Sequence, residues 1–266
     1  IITALALTLR LILGGALETG NWGLSVRSNQ TPPVAPASPA ELAKYAGKVL
    51  SFELDERLLP VLDETLAEFS NVEIINQDIM KADLAELIEG KCKGMKIAVC
   101  ANLPYYITSP IIMMFLESKL PIDSITVMVQ KEVAQRIAAK PGTPDYSAFT
   151  IFCQYYAEPE LLFDVPAHCF LPQPKVTSAV IQLKVRKERG WDIADPDIFF
   201  RTVKASFAMR RKKLSNGLAS GFPELGKTGA AEVITACGFD ENVRGETLSI
   251  PEFARIANEI ARRKAK

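Results

Sequence analysis

Four consecutive residues, Asn102-Leu103-Pro104-Tyr105, carry the most specific chemical pattern in the sequence. They directly follow the apolar run KIAVCA, which is typical of a buried strand. The Asn102 side-chain carbonyl and a backbone carbonyl can both accept hydrogen bonds from an exocyclic amine on a flat base, and so orient its nitrogen toward an electrophile. Tyr105 offers an aromatic face on which such a base could stack. The alternative is a tight turn without a chemical role, because Pro fixes φ and Asn tolerates unusual dihedral angles.

A second group of residues could bind a polyanion. The basic run Arg210-Arg211-Lys212-Lys213 lies within a predicted helix from Phe199 to Leu218, with Arg201 and Lys204 upstream. The whole chain has 31 basic and 31 acidic residues, but residues 184–213 have a net charge of +6 and residues 41–130 one of −6. Because phosphate binding depends on local charge density, a neutral chain can still present a basic surface to nucleic acid. The alternative interpretation is that these basic residues only form a charged, solvated helix surface.

The composition excludes several classes of protein. The chain has 266 residues, 48% of them hydrophobic, which is enough to bury a substantial core. Five scattered cysteines without a C-x-x-C pair, and a single histidine, argue against a disulfide framework or a zinc site, and favour a reducing cytoplasm. Residues 1–16 are apolar, but Arg10 interrupts them and they are shorter than the roughly 20 residues of a membrane span, so no transmembrane helix is expected.

The elements that must position these residues alternate along the chain. Strands are predicted at 48–54, 72–75, 96–100 and 124–129, with helical patterns between them, which indicates βαβ units and a mostly parallel sheet. A further strand is predicted at 176–185, and only helices after Phe199. We therefore expect an α/β domain followed by a small all-α domain. In such a sheet, ligands bind outside the carboxyl ends of the strands, where Asn102–Tyr105 would lie.

Four motifs together resemble one known family. The segments ANLPYYITSP, ITVMVQKEVAQRIAA, VPAHCFLPQPKVTSAVIQL and FFRTVKASFAMRRKKLSNGL occur in the order found in the small-subunit ribosomal RNA adenine dimethyltransferases. The resemblance covers residues 41–266. It implies a Rossmann-like class I S-adenosylmethionine-dependent methyltransferase domain at 41–189 and a helical RNA-binding domain at 190–266. It also implies methyl transfer from S-adenosylmethionine to the exocyclic amines of two adjacent adenines in the 3′-terminal hairpin of small-subunit rRNA. The partner would be the immature small ribosomal subunit, and the enzyme a cytoplasmic monomer without a metal.

The resemblance also implies roles for single residues. Asn102, Leu103, Pro104 and Tyr105 match the catalytic segment, and Phe170 matches an aromatic residue that closes on the other face of the target adenine. Glu53 matches the carboxylate that binds the cofactor ribose, Asp78 matches the contact to the cofactor adenine amine, and Asn102 would also contact the cofactor. Arg201, Lys204 and the basic run Arg210, Arg211, Lys212 and Lys213 would contact RNA phosphates. Taken singly, Glu53 and Asp78 could be solvated carboxylates at strand ends, and Phe170 a core residue. His168 has no matching role.

The first forty residues depart from the family pattern. A glycine-rich turn after the first strand should lie roughly 20 residues before Glu53, but the sequence there is TPPVAP, residues 31–36. Prolines fix φ and remove N–H donors, so this segment cannot form that turn. Gly14, Gly15, Gly20 and Gly23 lie too early. Residues 1–40 are therefore interpreted as an aberrant segment, without a recognisable first strand or glycine-rich loop, and one hypothesis is that they are read out of frame.

Two other functions stay open at this point. One is the related methylation of large-subunit rRNA that confers macrolide resistance, although Thr108-Ser109-Pro110 and the RRK sequence favour the small-subunit branch. The other is an RNA-binding assembly factor without catalysis, because contacts to RNA would survive the loss of the cofactor site.

Overall fold

The computed structural model describes residues 2–8, 39–170, 173–188 and 190–264 of the chain. Its strands are β1 (Ile2–Thr8), β2 (Lys48–Phe52), β3 (Val72–Ile75), β4 (Lys96–Asn102), β5 (Ile122–Gln130), β6 (Ala157–Val165) and β7 (Ser178–Val185). Its α-helices are α1 (Pro39–Ala43), α2 (Leu59–Thr65), α3 (Leu84–Lys91), α4 (Thr108–Glu117), α5 (Lys131–Ile137), α6 (Ala148–Tyr156), α7 (Pro196–Ala208), α8 (Leu214–Gly221), α9 (Gly226–Ala236) and α10 (Ile250–Lys264). None of the helices within these ranges is long and apolar enough to cross a membrane.

The strands form one sheet with the order β3-β2-β1-β4-β5-β7-β6. Neighbours from β3 to β5 are parallel, whereas β7 is antiparallel to both β5 and β6. The order of the strands reverses between β1 and β4, and in an open α/β sheet a crevice forms at such a point, outside the carboxyl ends of the strands. Leu7 lies opposite Phe52, and Thr8 lies opposite Asn102, so the carboxyl ends of β1, β2 and β4 are aligned along one edge. We call this edge the carboxyl edge.

Strand β1 lies in the middle of the sheet, where the sequence predicts no strand. Residues 2–8, ITALALT, pair in parallel with β2 on one side and β4 on the other. The periodicity of a short apolar run of this kind does not show whether the run forms a strand or a helix. Its place between two strands therefore could not be predicted from the local sequence. The four early glycines and residues 31–36 lie outside the described residues.

The first compact unit comprises residues 1–134 and 157–186 and contains the sheet. Strands β2, β4 and β5 of this unit are buried along most of their length, as expected for parallel strands covered by helices on both faces. Strand residues that are 2% exposed or less include Val49, Leu50, Phe52, Ile97, Val99, Ile125, Val127 and Val129. The α/β class and the mostly parallel sheet predicted from sequence are confirmed.

The second compact unit comprises residues 135–156 and 187–266 and is helical. Its core contains Phe199, Phe222 and Phe253, all fully buried. The sequence predicts a boundary between residues 189 and 190, but residues 135–156 also group with this unit. The physical reason is that Ile151 and Tyr155 of α6 belong to the same hydrophobic core as the later helices.

The prediction of one helix from Phe199 to Leu218 is wrong. Helix α7 ends at Ala208 and α8 begins at Leu214, so the basic run Arg210–Lys213 lies in the turn between two helices rather than on a helix. The two helices pack very closely. A Cβ atom on Gly217 would lie 2.5 Å from the Ala205 carbonyl oxygen, and one on Gly221 would lie 2.3 Å from the Ala205 Cβ. Two glycines one turn apart therefore let α8 fold back onto α7.

Candidate active site

Three of the residues predicted to form the site lie at the carboxyl edge. Glu53 directly follows β2, Asp78 lies three residues after β3, and Asn102 is the last residue of β4. Strands β2 and β4 flank β1, and neighbouring strands are about 4.8 Å apart, so Glu53 and Asn102 are separated by roughly 10 Å along the edge. The fold thus brings together residues that are distant in sequence, on the side of the sheet where ligands bind.

The Glu53 carboxylate is held in place at the end of β2. The residue is only 4% exposed, and its Oε1 accepts a hydrogen bond from the Asp55 N–H at 2.8 Å. Its own N–H donates to the Ile75 carbonyl at 3.1 Å, and its carbonyl accepts from Asn76 Nδ2 at 2.8 Å. An ionised carboxylate can accept about four hydrogen bonds, so these contacts are compatible with acceptance from both hydroxyls of a ribose.

Asp78 closes the turn after β3. Its Oδ1 accepts a hydrogen bond from the Met80 N–H at 3.0 Å, which is the pattern of an Asx turn. Its Oδ2 lies 3.9 Å from Lys81 Nζ, and its side chain is 32% exposed. Asp78 therefore has a structural part in this turn and a carboxylate that solvent can still reach.

The segment Asn102–Tyr105, which we call the NLPY segment, is anchored by the two residues that follow Asn102. Leu103 is 1% exposed, and its N–H donates to the Met128 carbonyl of β5 at 3.2 Å. The Pro104 carbonyl accepts from the Ile107 N–H at 3.2 Å and from Thr108 Oγ1 at 3.0 Å, which fixes the segment to the start of α4. Asn102 itself is exposed. A buried framework thus supports an accessible amide side chain.

The two predicted stacking residues contact neighbouring parts of the sheet. The Tyr105 hydroxyl lies 2.9 Å from Ser178 Oγ, and the two share a hydrogen bond. Phe170 is half-buried and packs against a cluster formed by Met128, Val165 and Val180. The sequence assigns no role to Ser178; the only signal is its place in the VTSAV segment of a motif that resembles the family.

The predicted RNA-binding residues of the second unit fall into two groups. Arg201 Nε donates to the Gly221 carbonyl at 2.8 Å, and its guanidinium lies 4.3 Å from the centre of the Phe222 ring. Arg210 Nε donates to Glu246 at 2.7 Å, and Arg210 Nη2 donates to the Pro144 carbonyl at 2.6 Å. These two arginines bind to their own unit. The second group is exposed and forms no ion pair with any described residue; it consists of Lys204, Arg211, Lys212 and Lys213.

The remaining polar candidates contribute no second site. His168 lies in an exposed turn, and the described ranges contain no group of three or more His, Cys, Asp or Glu residues that could hold a metal ion. Burial raises the pKa of the Cys100 thiol to about 11 and also raises that of Cys153. A buried thiol that stays protonated at neutral pH is not a nucleophile.

The chain is similar to known proteins over most of its length. The family model described as "Ribosomal RNA adenine dimethylase" matches residues 37–262. Ribosomal RNA small subunit methyltransferase A of Alkaliphilus metalliredigens is 50% identical over 222 residues, which are 84% of this chain and 77% of that protein. The Listeria welshimeri protein of the same name is 46% identical over 249 residues, 91% of this chain and 84% of that protein.

Two solved structures share the fold. A dimethyladenosine transferase from Plasmodium falciparum has a TM-score of 0.72 at 21% identity, over 84% of this chain and 86% of that one. The 23S rRNA methyltransferase ErmE has a TM-score of 0.62 at 25% identity, over 84% of this chain and 85% of that one. These similarities confirm the Rossmann-like class I methyltransferase fold predicted from sequence.

The family and the site agree on the cofactor. Adenine dimethylases use S-adenosylmethionine, and the described residues at the carboxyl edge fit it, because carboxylate and amide oxygens suit the hydroxyls of a ribose and the amine of an adenine. The dimethyltransferase resemblance is thereby confirmed over residues 37–262. The chain belongs to the ribosomal RNA adenine dimethylase family.

Proposed function

We propose that this chain methylates the exocyclic amines of two adjacent adenines in the 3′-terminal hairpin of small-subunit rRNA, twice on each base. It acts in the cytoplasm, as a monomer, on immature small subunits. The observation that carries this proposal is the position of the NLPY segment. The segment begins with the last residue of β4, beside the point where the strand order reverses. The names of the relatives from Alkaliphilus and Listeria support the small subunit as the substrate.

The NLPY segment acts by positioning the amine. Asn102 Oδ1 accepts a hydrogen bond from one amine hydrogen. The Pro104 carbonyl already accepts hydrogen bonds from the Ile107 N–H and from Thr108 Oγ1, which fill the two lone pairs of a carbonyl oxygen. The Leu103 carbonyl therefore provides the second acceptor. Two acceptors fix the amine in one orientation and direct its nitrogen toward the methyl donor, which lowers the barrier by pre-organisation.

The target adenine has to leave the RNA stack before it can reach this edge of the sheet. Tyr105 stacks on one of its faces and Phe170 closes on the other. An aromatic side chain stabilises an unstacked base by roughly 1–3 kcal/mol, which offsets part of the cost of flipping. Both side chains are half-buried, so each ring keeps one supported side and one accessible side.

Bound S-adenosylmethionine supplies the electrophilic methyl group. Glu53 accepts hydrogen bonds from the ribose hydroxyls, and Asp78 accepts one from the adenine amine of the cofactor. Asn102 contacts both the target adenine and the cofactor, because it lies at the end of β4, next to β1. The second unit binds RNA phosphates through Lys204, Arg211, Lys212 and Lys213, which are exposed.

The test is methyl transfer from labelled S-adenosylmethionine to small subunits that lack these methyl groups, with the modified nucleotides mapped by mass spectrometry. We expect dimethyladenine at two adjacent positions near the 3′ end. The variant Asn102→Ala should lower the rate about 100-fold, since a misplaced reacting group costs about that much. Asn242→Ala, at an exposed asparagine of the second unit, is the matched control and should retain the wild-type rate. Label that enters only large-subunit RNA would overturn the choice of substrate.

A second candidate function is an RNA-binding assembly factor without methyl transfer. The observation that favours it is the sequence TPPVAP at residues 31–36, where relatives of this fold need a glycine-rich turn. Calorimetric titration of the folded chain with S-adenosylmethionine separates the two functions. Stoichiometric binding supports the enzyme, whereas no binding together with retained affinity for small-subunit RNA supports the assembly factor.

A further inference from the structure

We propose that Ser178 is a positioning residue that holds the Tyr105 ring in the place from which it stacks on the target base. This inference rests on the proposed function, since it assumes that Tyr105 is the stacking residue. Ser178 belongs to another part of the chain, 73 residues beyond Tyr105.

The contact is formed by a hydroxyl that is fixed by the sheet. Ser178 is the first residue of β7 and is fully buried. Its backbone pairs with Gln130 of β5 on one side and with Val165 of β6 on the other, so strands on both sides hold it in place. The Tyr105 hydroxyl lies 2.9 Å from Ser178 Oγ. A hydrogen bond at the far end of a tyrosine restricts rotation about χ1, because the hydroxyl lies opposite the bond to Cβ and moves with the ring whenever χ1 changes. The contact therefore fixes where the ring lies.

The same strand also supports the second aromatic residue. Side chains alternate between the two faces of a strand, so Ser178 and Val180 lie on the same face of β7. Val180 is fully buried and belongs to the cluster against which Phe170 packs. One face of β7 thus contacts both aromatic residues that are predicted to enclose the base: Tyr105 through a hydrogen bond, and Phe170 through apolar packing.

A purely structural role for Ser178 makes a different prediction. If the Ser178 hydroxyl only contributed a hydrogen bond to the interior of the sheet, its loss would lower the melting temperature. The rate of methylation per folded molecule would then be unchanged. If it positions Tyr105, removal of either hydroxyl breaks the same contact. The two single variants should then have equal effects on the rate, and the double variant should be no slower than either one.

The experiment compares single-turnover methylation of unmethylated small subunits by folded Ser178→Ala, Tyr105→Phe and the double variant. Tyr105→Phe keeps the ring and removes only the hydroxyl. We expect each single variant to be about three- to ten-fold slower than the wild type, which is the range for the loss of one neutral hydrogen bond. The double variant should be equally slow, and the affinity for S-adenosylmethionine, measured by calorimetry, should be unchanged. Ser178→Thr keeps the hydroxyl on a residue that favours strands, and it should restore most of the rate.

Further variants separate the failure of this inference from the failure of the proposed function. Tyr105→Ala removes the ring. If it is as fast as the wild type, Tyr105 does not stack the base, and the proposed function of this residue is wrong. If Tyr105→Ala is slow while Ser178→Ala retains the wild-type rate, only the positioning role is overturned. Effects of the two single variants that multiply in the double variant would also overturn it. Should Ser178→Ala not fold, a wild-type rate for Tyr105→Phe decides against the inference by itself.

Discussion

The side-chain amide of Asn76 donates a hydrogen bond to the backbone carbonyl of Glu53, with the two atoms 2.8 Å apart. Together with the Glu53 N–H, which donates to the Ile75 carbonyl, this contact ties the residue to the end of β3 by its backbone alone. The backbone of Glu53 is therefore positioned by groups that a change of its side chain would leave intact. This makes Glu53 a site where the chemistry of the side chain can be tested without a change in the fold.

The first prediction concerns the binding of the cofactor. Glu53→Gln keeps the size of the side chain and removes its charge, and it replaces one acceptor oxygen with a donor. We expect S-adenosylmethionine to bind about 10- to 100-fold more weakly, because a hydrogen bond to a charged group contributes roughly 1.5–3 kcal/mol. Calorimetric titration measures this change. The control is Glu56→Gln, which changes an exposed carboxylate three residues away. Equal affinities for the wild type and Glu53→Gln would contradict the ribose contact.

The second prediction separates two neighbouring arginines. Arg211→Ala should weaken the binding of small-subunit RNA and reduce the slope of log affinity against log salt by about one, as expected for the loss of one phosphate contact. Its free energy of unfolding should change by less than about 0.5 kcal/mol, because the residue is exposed. A filter-binding series over several salt concentrations, together with urea denaturation, provides both measurements.

Arg210→Ala should behave in the opposite way. It loses the contact to Glu246 at 2.7 Å and the contact to the Pro144 carbonyl at 2.6 Å. We expect the free energy of unfolding to fall by about 1–2 kcal/mol, with the salt dependence of RNA binding unchanged. If both variants lowered the salt dependence equally, the division of the basic run into a structural and an RNA-binding part would be wrong.

The contrast between these arginines illustrates what the sequence could and could not predict. Strands β2 to β5 and the NLPY segment follow from local patterns, namely apolar periodicity and a motif that directly follows a strand. Arg210 differs from Arg211 through its contacts to Glu246 and Pro144, which lie more than thirty positions away. Adjacent residues of the same type carry no local signal that would tell them apart.

Two elements of the fold also depend on distant contacts. Strand β1 is defined by its pairing with β2 and β4, which begin 40 and 88 residues after its last residue, Thr8. The break between α7 and α8 depends on the approach of Gly217 to Ala205, whereas the residues between the helices are good helix formers by themselves. The hydrogen bond between Tyr105 and Ser178 likewise joins two residues that are distant in sequence. Motifs therefore predicted the site residues, and only the structure showed the contacts that hold these residues in place.

The third prediction tests the packing of α8 on α7. Gly217→Ala would place a Cβ 2.5 Å from the Ala205 carbonyl oxygen, which is backbone and cannot move without shifting a helix. We expect a loss of about 2–3 kcal/mol in the free energy of unfolding, measured by urea denaturation. Gly229→Ala in α9 is the matched control. Its Cβ would meet Leu225 Cβ at 3.5 Å, an ordinary contact, so the helix should gain up to about 1 kcal/mol. Similar stabilities for the two variants would show that α8 is free to move away from α7.

The fourth prediction concerns the stability at acid pH. Hydrogen bonds from Arg262, at 2.7 Å, and from Arg263, at 2.8 Å, lower the pKa of Glu259 from 4.5 to about 2. Between these two values the unfolded chain binds more protons at this residue than the folded chain does. The stabilising contribution of Glu259 is therefore fully present above pH 4.5 and is lost as the pH falls through this range toward 2. Because Arg262 is exposed and partly screened by water, we expect a contribution of about 1–2 kcal/mol.

Urea denaturation at a series of pH values tests this expectation. Glu259→Gln should be less stable than the wild type at neutral pH, and the difference should shrink as the pH falls from about 5 toward 2, because protonation removes the same charge from the wild type. Glu241→Gln, at an exposed position of the second unit, is the control and should follow the wild-type curve. A difference between Glu259→Gln and the wild type that stays constant across this range would mean that the two arginines do not hold the pKa of Glu259 down.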